Sequence, residues 1–116
     1  MEIVKYISEI IYNKKGEDIL IIDVRNLLKG ICDYFILATS LSEDHARAIA
    51  DEIESKLKKR GIKIHHIEGY ENGKWVLVDA GDVIIHIFDE KTRAFYDLES
   101  LYENSRKIKY DTTLRD

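Results

Sequence analysis

Apolar residues recur at spacings of three and four near the start of the chain, at Ile3, Tyr6, Ile7, Ile10 and Ile11. That is the period of a helix with one buried face, and Gly16 is expected to stop it. Residues 19–24 form a short run rich in branched side chains, which predicts a buried strand with Asp23 near its end. Residues 34–39 predict a second strand. The connection between them carries Leu27, Leu28 and Ile31, so it is expected to lie across an edge of the domain rather than wholly in solvent. Helical spacing then returns in Ala46, Ile49, Ala50, Ile53 and Leu57, with Arg47, Asp51, Glu54 and Lys58 on the opposite side. Ser40 and Ser42 are competing N-caps for this second helix. Its C-terminus is read from Lys58-Lys59-Arg60-Gly61, because cations favour the last turn and glycine accepts a left-handed backbone.

The alternation then shortens to period two. Residues 63–70, 74–79 and 82–88 predict an antiparallel meander, closed by a type I′ turn at Asn72-Gly73 and a tight reversal at Asp79-Ala80-Gly81-Asp82. In its last strand Val83, Ile85 and Ile87 point one way and Ile84, His86 and Phe88 the other, so both faces are expected to be covered. Residues 95–102 predict a short docking helix with Leu98, Leu101 and Tyr102 as its apolar set. From residue 104 the pattern fades, and an irregular tail over 104–116 is expected after a single domain over 1–103. The whole reads as one α/β domain, a mixed β-sheet with flanking helices.

Length and composition narrow this picture little. A chain of 116 residues with a 45% apolar and 34% charged make-up is long enough for one independently folding domain. Its formal charge of -4 argues against a generally basic nucleic-acid surface. Cys32 is the single cysteine, which excludes an internal disulfide and fits a reducing compartment. No signal-like or membrane-length apolar segment is present in the sequence, and a cytoplasmic location is expected.

Candidate chemistry is sparse. Asp79 and Asp82, with Asp23 elsewhere, invite a metal-dependent nucleotidyl-transfer reading, but three-residue spacing across a turn need not make carboxylates converge. Turn hydrogen bonding accounts for them more simply. His65 and His66 point to opposite faces of a strand, and no local spacing gathers His45 or His86 into a zinc site. Ser40 and Ser42 lack the glycine-rich loop and lysine of a phosphate-binding loop. Lys56, Lys58, Lys59 and Arg60 form the compact basic cluster, which suits a solvated helix end and leaves a peripheral rRNA contact open. Trp75, the sole tryptophan, can close the core or anchor a protein interface beside Tyr70 and Lys74.

An ordered series of segments carries a family resemblance. It comprises residues 33–39, the helix over 46–53, Glu68-Gly69, residues 75–79, residues 81–88 and residues 95–99. Over about residues 3 to 103 the chain resembles the ribosomal silencing factor, or Iojap-like, family. The resemblance implies a homodimeric α/β protein with a nucleotidyltransferase-like core but no established transferase activity, and it calls for no metal or cofactor. It further implies binding to protein uL14 of the large ribosomal subunit and obstruction of small-subunit joining, which represses translation when nutrients are scarce. Carried over by position, the partner surface comprises Tyr70, Lys74, Trp75, Val78, Asp79 and Asp82. Glu68, Gly69, Gly81 and His86 also match family positions, the glycines as turn formers and His86 through packing, a dimer contact or a partner contact. The chain departs from the family at Ala80, where an aromatic is usual, at Ser40, often glycine, and at Tyr102, frequently tryptophan. Help in assembling the large subunit is the nearest alternative function, and a metal-dependent nucleotidyltransferase a remoter one.

Overall fold

The computed structural model describes residues 1–111. Helix α1 (Glu2–Asn13) turns Val4, Ile7, Ile10 and Ile11 inward, as the spacing requires. Its end differs from expectation in one detail. Lys15, not Gly16, takes the left-handed conformation at φ 70°, and the Gly16 N–H donates to the Ile11 carbonyl at 2.9 Å. Strand β1 (Glu17–Asp23) follows directly, with an irregular register between Glu17 and Leu20. Strand β2 (Tyr34–Ser40) pairs antiparallel with it, Asp23 facing Tyr34.

Helix α2 (Glu43–Lys59) resolves the choice of cap. The Ser42 hydroxyl accepts from the His45 N–H at 3.0 Å, whereas Ser40 is buried inside β2. His45 also ties the helix start to its surroundings: its Nδ1 accepts from the Leu41 N–H at 2.9 Å, and its Nε2 lies 2.7 Å from the Lys14 carbonyl. At the other end Gly61 sits at φ 76°, and the N–H groups of Gly61 and Ile62 return to the carbonyls of Lys58 and Leu57. This pairing satisfies carbonyls that the helix leaves open.

Strands β3 (His66–Glu68), β4 (Trp75–Asp79) and β5 (Val83–Asp89) form the expected antiparallel meander, with β3 shorter than predicted. The Asn72-Gly73 type I′ turn is not formed. Asn72 is not among the positive-φ residues, and the ladder closes earlier, at Glu68 opposite Leu77. The wider loop is held against α2, where the Arg47 guanidinium donates to the carbonyls of Tyr70 and Glu71 at 3.3 and 2.9 Å.

Beyond β5 the predicted single helix is two. Helix α3 (Glu90–Tyr96) starts at once, capped by Asp89, whose carboxylate accepts from the Thr92 N–H at 2.7 Å. Asp97, at φ 46°, then breaks the path before the one-turn α4 (Leu98–Leu101). Leu98 and Tyr102 dock as expected, but Leu101 is exposed. The tail expectation is also corrected in part. Residues Lys107–Lys109 form β6, antiparallel to β1, and Tyr110 is buried, because Ile21 and Ile108 pair across that edge. The rest of the tail expectation, over 112–116, lies outside the described residues.

The sheet order is β3-β4-β5-β2-β1-β6, and its β2–β5 pair is parallel while the others are antiparallel. The sheet is therefore mixed. One face, carrying Ile21, Ile36, Val78, Ile85 and Ile87, is sealed by α1 and α2. The other carries Ile22, Phe35, Leu37 and Phe88 beneath Leu28, Cys32, Leu98 and Tyr102, with α3 packed along β5 and β2. Cys32 behaves as a buried small side chain, and burial pushes its thiol above the ordinary value. These lighter covers leave Trp75, Leu77 and Ile84 only half-buried on the outer part of that second face. Among the described residues no helix is long and apolar enough to cross a membrane.

Candidate protein interface

The site begins with a register. Trp75 stands opposite Phe88 and Leu77 opposite His86, so Trp75, Leu77, Ile84, His86 and Phe88 share the second face of the sheet. Gly69 makes room for the start of β4. At φ 73° its backbone presses so closely on Trp75 that an added Cβ would come within 2.1 Å of the Trp75 carbonyl oxygen. The indole lies against Phe88 and Tyr96, ring centroids 5.4 and 4.8 Å away. Its N–H donates to His86 Nδ1 at 3.1 Å.

His86 is 5% exposed, and burial pushes its imidazole down from the ordinary value to about 4. It is therefore neutral at physiological pH. Since Nδ1 accepts from Trp75, the ring proton belongs on Nε2, which has no hydrogen-bond partner among the described residues. The Phe35 ring meets the imidazole edge to face at 4.8 Å.

Around this buried nucleus the surface is aromatic and aliphatic. Tyr96 is 53% exposed and Phe95 80%, the two rings packed edge to face at 5.0 Å, and Leu101 is 70% exposed. Leu27 and Ile31 are exposed as well, but on the β1–β2 connection, which meets the sheet at the Asp82 end, away from Trp75. Phe95 and Tyr96 were missed as surface candidates in the sequence, although a signal existed: adjacent helical residues diverge by about 100°, so one short helix cannot bury both against one sheet.

The residues singled out in the sequence divide into four groups. Trp75 lies in this patch, with the exposed Lys74 immediately before it. Tyr70 faces elsewhere: its hydroxyl donates to the Asp51 carboxylate at 2.9 and 3.0 Å, and that bond pushes the phenol above its ordinary value. Asp79 and Asp82 occupy the far end of β4. Four residues at about 3.3 Å each put Asp79 roughly 13 Å from Trp75. The Asp79 carboxylate accepts from the Gly81 N–H at 2.9 Å and stands 3.6 Å from His66 Nδ1, while Asp82 is exposed. Val78 is removed from the surface altogether. It is 0% exposed beneath the helices, because its neighbour in the alternation, Leu77, takes the open face.

Asp23 does not join the other two carboxylates. Arg25 holds it at 2.7 Å and keeps it below the usual carboxylate range, and no group of three or more His, Cys, Asp or Glu converges among the described residues. The basic cluster lies on the exposed end of α2, where Lys56 pairs with Glu52 at 3.7 Å and the Arg60 guanidinium covers the Tyr6 ring at 3.7 Å. A groove of ≈ 850 Å³ runs on the other side of α3, between Tyr12, Asp18, Thr39, Arg93, Asp97 and Tyr110, and shares no residue with the Trp75 patch.

The family model described as "Ribosomal silencing factor during starvation" matches residues 1–116. The ribosomal silencing factor of Chromobacterium violaceum is 40% identical over 101 residues, covering 87% of this chain and 82% of that protein. The one from Bacillus subtilis is 38% identical over 90 residues, covering 78% and 75%. A crystal structure of a Chromobacterium violaceum protein superposes with a TM-score of 0.84 at 39% identity, over 88% of this chain and 84% of that one.

Proposed function

The chain belongs to the ribosomal silencing factor family, and from that membership we propose that it represses translation by docking on uL14 of the large ribosomal subunit and sterically blocking the small one. Such a factor needs a surface and bulk, not a reaction. The family's description names silencing and no reaction, and this reading assigns the chain no enzymatic activity. The observation that carries the docking reading is the half-open second face of the sheet, with Trp75 half-buried on it, the exposed Tyr96 against the indole and the exposed Phe95 against Tyr96. A contiguous exposed apolar patch of this kind marks interaction surfaces, and aromatic anchors in partly formed pockets dominate binding energy.

Lys74 borders this patch and Asp82 lies beyond its far end, as polar residues at the margin of the footprint. Tyr70 stands outside the centre, on the α2 side. The nucleotidyltransferase-like core, the homodimer and the cytoplasmic setting implied by the resemblance belong to the same reading, and any rRNA contact would be peripheral, through the α2 terminus. The test is subunit joining with purified ribosomal subunits. Saturating protein is expected to suppress 70S formation, and Trp75→Ala to relieve that suppression. Normal 70S formation at saturation would overturn the proposal. Suppression that Trp75→Ala leaves intact would move the docking surface elsewhere on the molecule.

A further inference from the structure

Four polar side chains are buried among the described residues, Ser8, Thr39, Ser40 and His86, and of these His86 is bonded to the proposed anchor. Its position is unexpected for a side chain with two ring nitrogens. It sits in the middle of β5, beneath a sheet face otherwise built from Phe35, Leu37, Phe88 and Ile22. A leucine would fill such a place without the desolvation that an imidazole suffers.

What the imidazole supplies is an acceptor at one particular point. Indole nitrogen is a donor with no acceptor capacity, and a half-buried tryptophan on an open sheet face has more than one rotamer available. The Nδ1 lone pair selects the rotamer in which the indole N–H turns inward, with the ring against Phe88 and Tyr96. The acceptor is itself fixed: the edge-to-face Phe35 ring at 4.8 Å and the Phe88 ring at 6.2 Å flank the imidazole.

We propose that His86 is a positioning residue for docking: through the Trp75 N–H it fixes the indole in its binding orientation before the partner arrives. This inference rests on the reading that the Trp75 face meets the large subunit. Preorganisation of an anchor strengthens binding by removing the cost of ordering it on contact.

The sole tryptophan makes the orientation observable apart from binding, since its indole N–H gives a single cross-peak in a ¹⁵N-correlated NMR spectrum. In the parent protein that proton is expected to exchange slowly with solvent. His86→Leu keeps the volume and removes the acceptor; indole exchange should then quicken at least about fivefold, and affinity for purified large subunits should fall about fivefold, the scale of one neutral hydrogen bond. His86→Asn, whose side-chain oxygen can stand where Nδ1 stood, should recover part of both. In a Trp75→Phe background His86→Leu should cost no further affinity. An unchanged indole peak in folded His86→Leu would overturn the proposal, and so would a moved peak with unchanged affinity. If His86→Leu does not fold, the test passes to His86→Asn beside His86→Ser, in which an unchanged exchange rate for both would equally overturn it. Should Trp75→Ala bind large subunits as tightly as the parent, the docking reading itself fails, and an altered indole peak in the His86 variants would then report only a contact within the sheet.

Discussion

Lowering the pH from neutral should destabilise this protein through His86 before Asp23 and Asp89 contribute. The imidazole is 5% exposed, and its folded-state value is pushed down by burial from 6.5 to about 4. The unfolded chain therefore takes up a proton on this side chain below about 6.5, while the folded chain resists until about 4. With the folded value the lower of the two, stability is fully present above 6.5. It is lost as the pH falls through the window down to about 4, and is constant with respect to this group below it. At 1.36 kcal/mol for each pH unit between the two values, the loss amounts to about 3 kcal/mol. That is a large share of the 5–15 kcal/mol typical of a domain.

The assay is urea denaturation at a series of pH values across that window, followed by far-UV circular dichroism and by Trp75 fluorescence. The parent should lose stability along the acid limb, and His86→Leu should lack that contribution. Subtracting the two curves removes whatever other groups add. Asp23 and Asp89 do not confuse the result. Hydrogen bonds from Arg25 and from the Thr92 backbone hold them below 3.8, so their stabilisation is present above that value and declines as the pH falls beneath it. Parallel curves for parent and His86→Leu between about pH 6.5 and 4.5 would refute the argument, because they would mean that the folded protein protonates His86 as readily as the unfolded chain does.

Other substitutions test other parts of the structure. Ser42→Ala should lower stability by about 1 kcal/mol by removing the α2 cap, whereas Ser40→Ala should be neutral or stabilising, since its buried hydroxyl has no partner among the described residues; urea denaturation distinguishes the pair. Arg93→Ala should cost about 2 kcal/mol, measured the same way, because its guanidinium joins α3 to Glu99 at 2.8 Å, to the Asp18 carbonyl at 2.8 Å and to the Thr39 hydroxyl at 2.9 Å. Asp82→Lys should weaken uL14 binding with little change in folding, while Asp79→Lys should also reduce stability by about 1 kcal/mol through loss of the bond from the Gly81 N–H. Equal uL14 affinity for parent and folded Asp82→Lys would place that carboxylate outside the footprint.

Much of the fold was legible because periodicity is a local property. The stripe from Ala46 to Leu57 and the alternation from Val83 to Phe88 each set their own element, and the structure places both as read. Prediction weakened where local preference met a tertiary demand. Asn72-Gly73 suits a two-residue turn, but Gly69 against Trp75 and Arg47 on the Tyr70 and Glu71 carbonyls hold a wider loop. The segment from 104 onward looked patternless because a three-residue edge strand shows less than two periods of alternation. Only the unpaired edge of β1, invisible in the local sequence, gives Lys107–Lys109 something to pair with.

The site was harder to read for a related reason. Sequence proximity made Trp75, Val78, Asp79 and Asp82 look like one hairpin surface, yet a strand separates residues by parity and by length. Parity sends Val78 into the α1–α2 core while Trp75, Leu77 and Asp79 stay on the opposite face. Length carries Asp79 to the far end of β4 and the acidic turn with it. The register then brings in residues that sequence spacing leaves apart. With Trp75 opposite Phe88, the indole reaches diagonally to His86, eleven positions away, and α3 folds Tyr96 back onto the same ring. His86 alone reads as one more inward position of a central strand. The pairing register turns it into the acceptor that faces the only tryptophan, so docking through Trp75 ought to depend on a residue that no partner can touch.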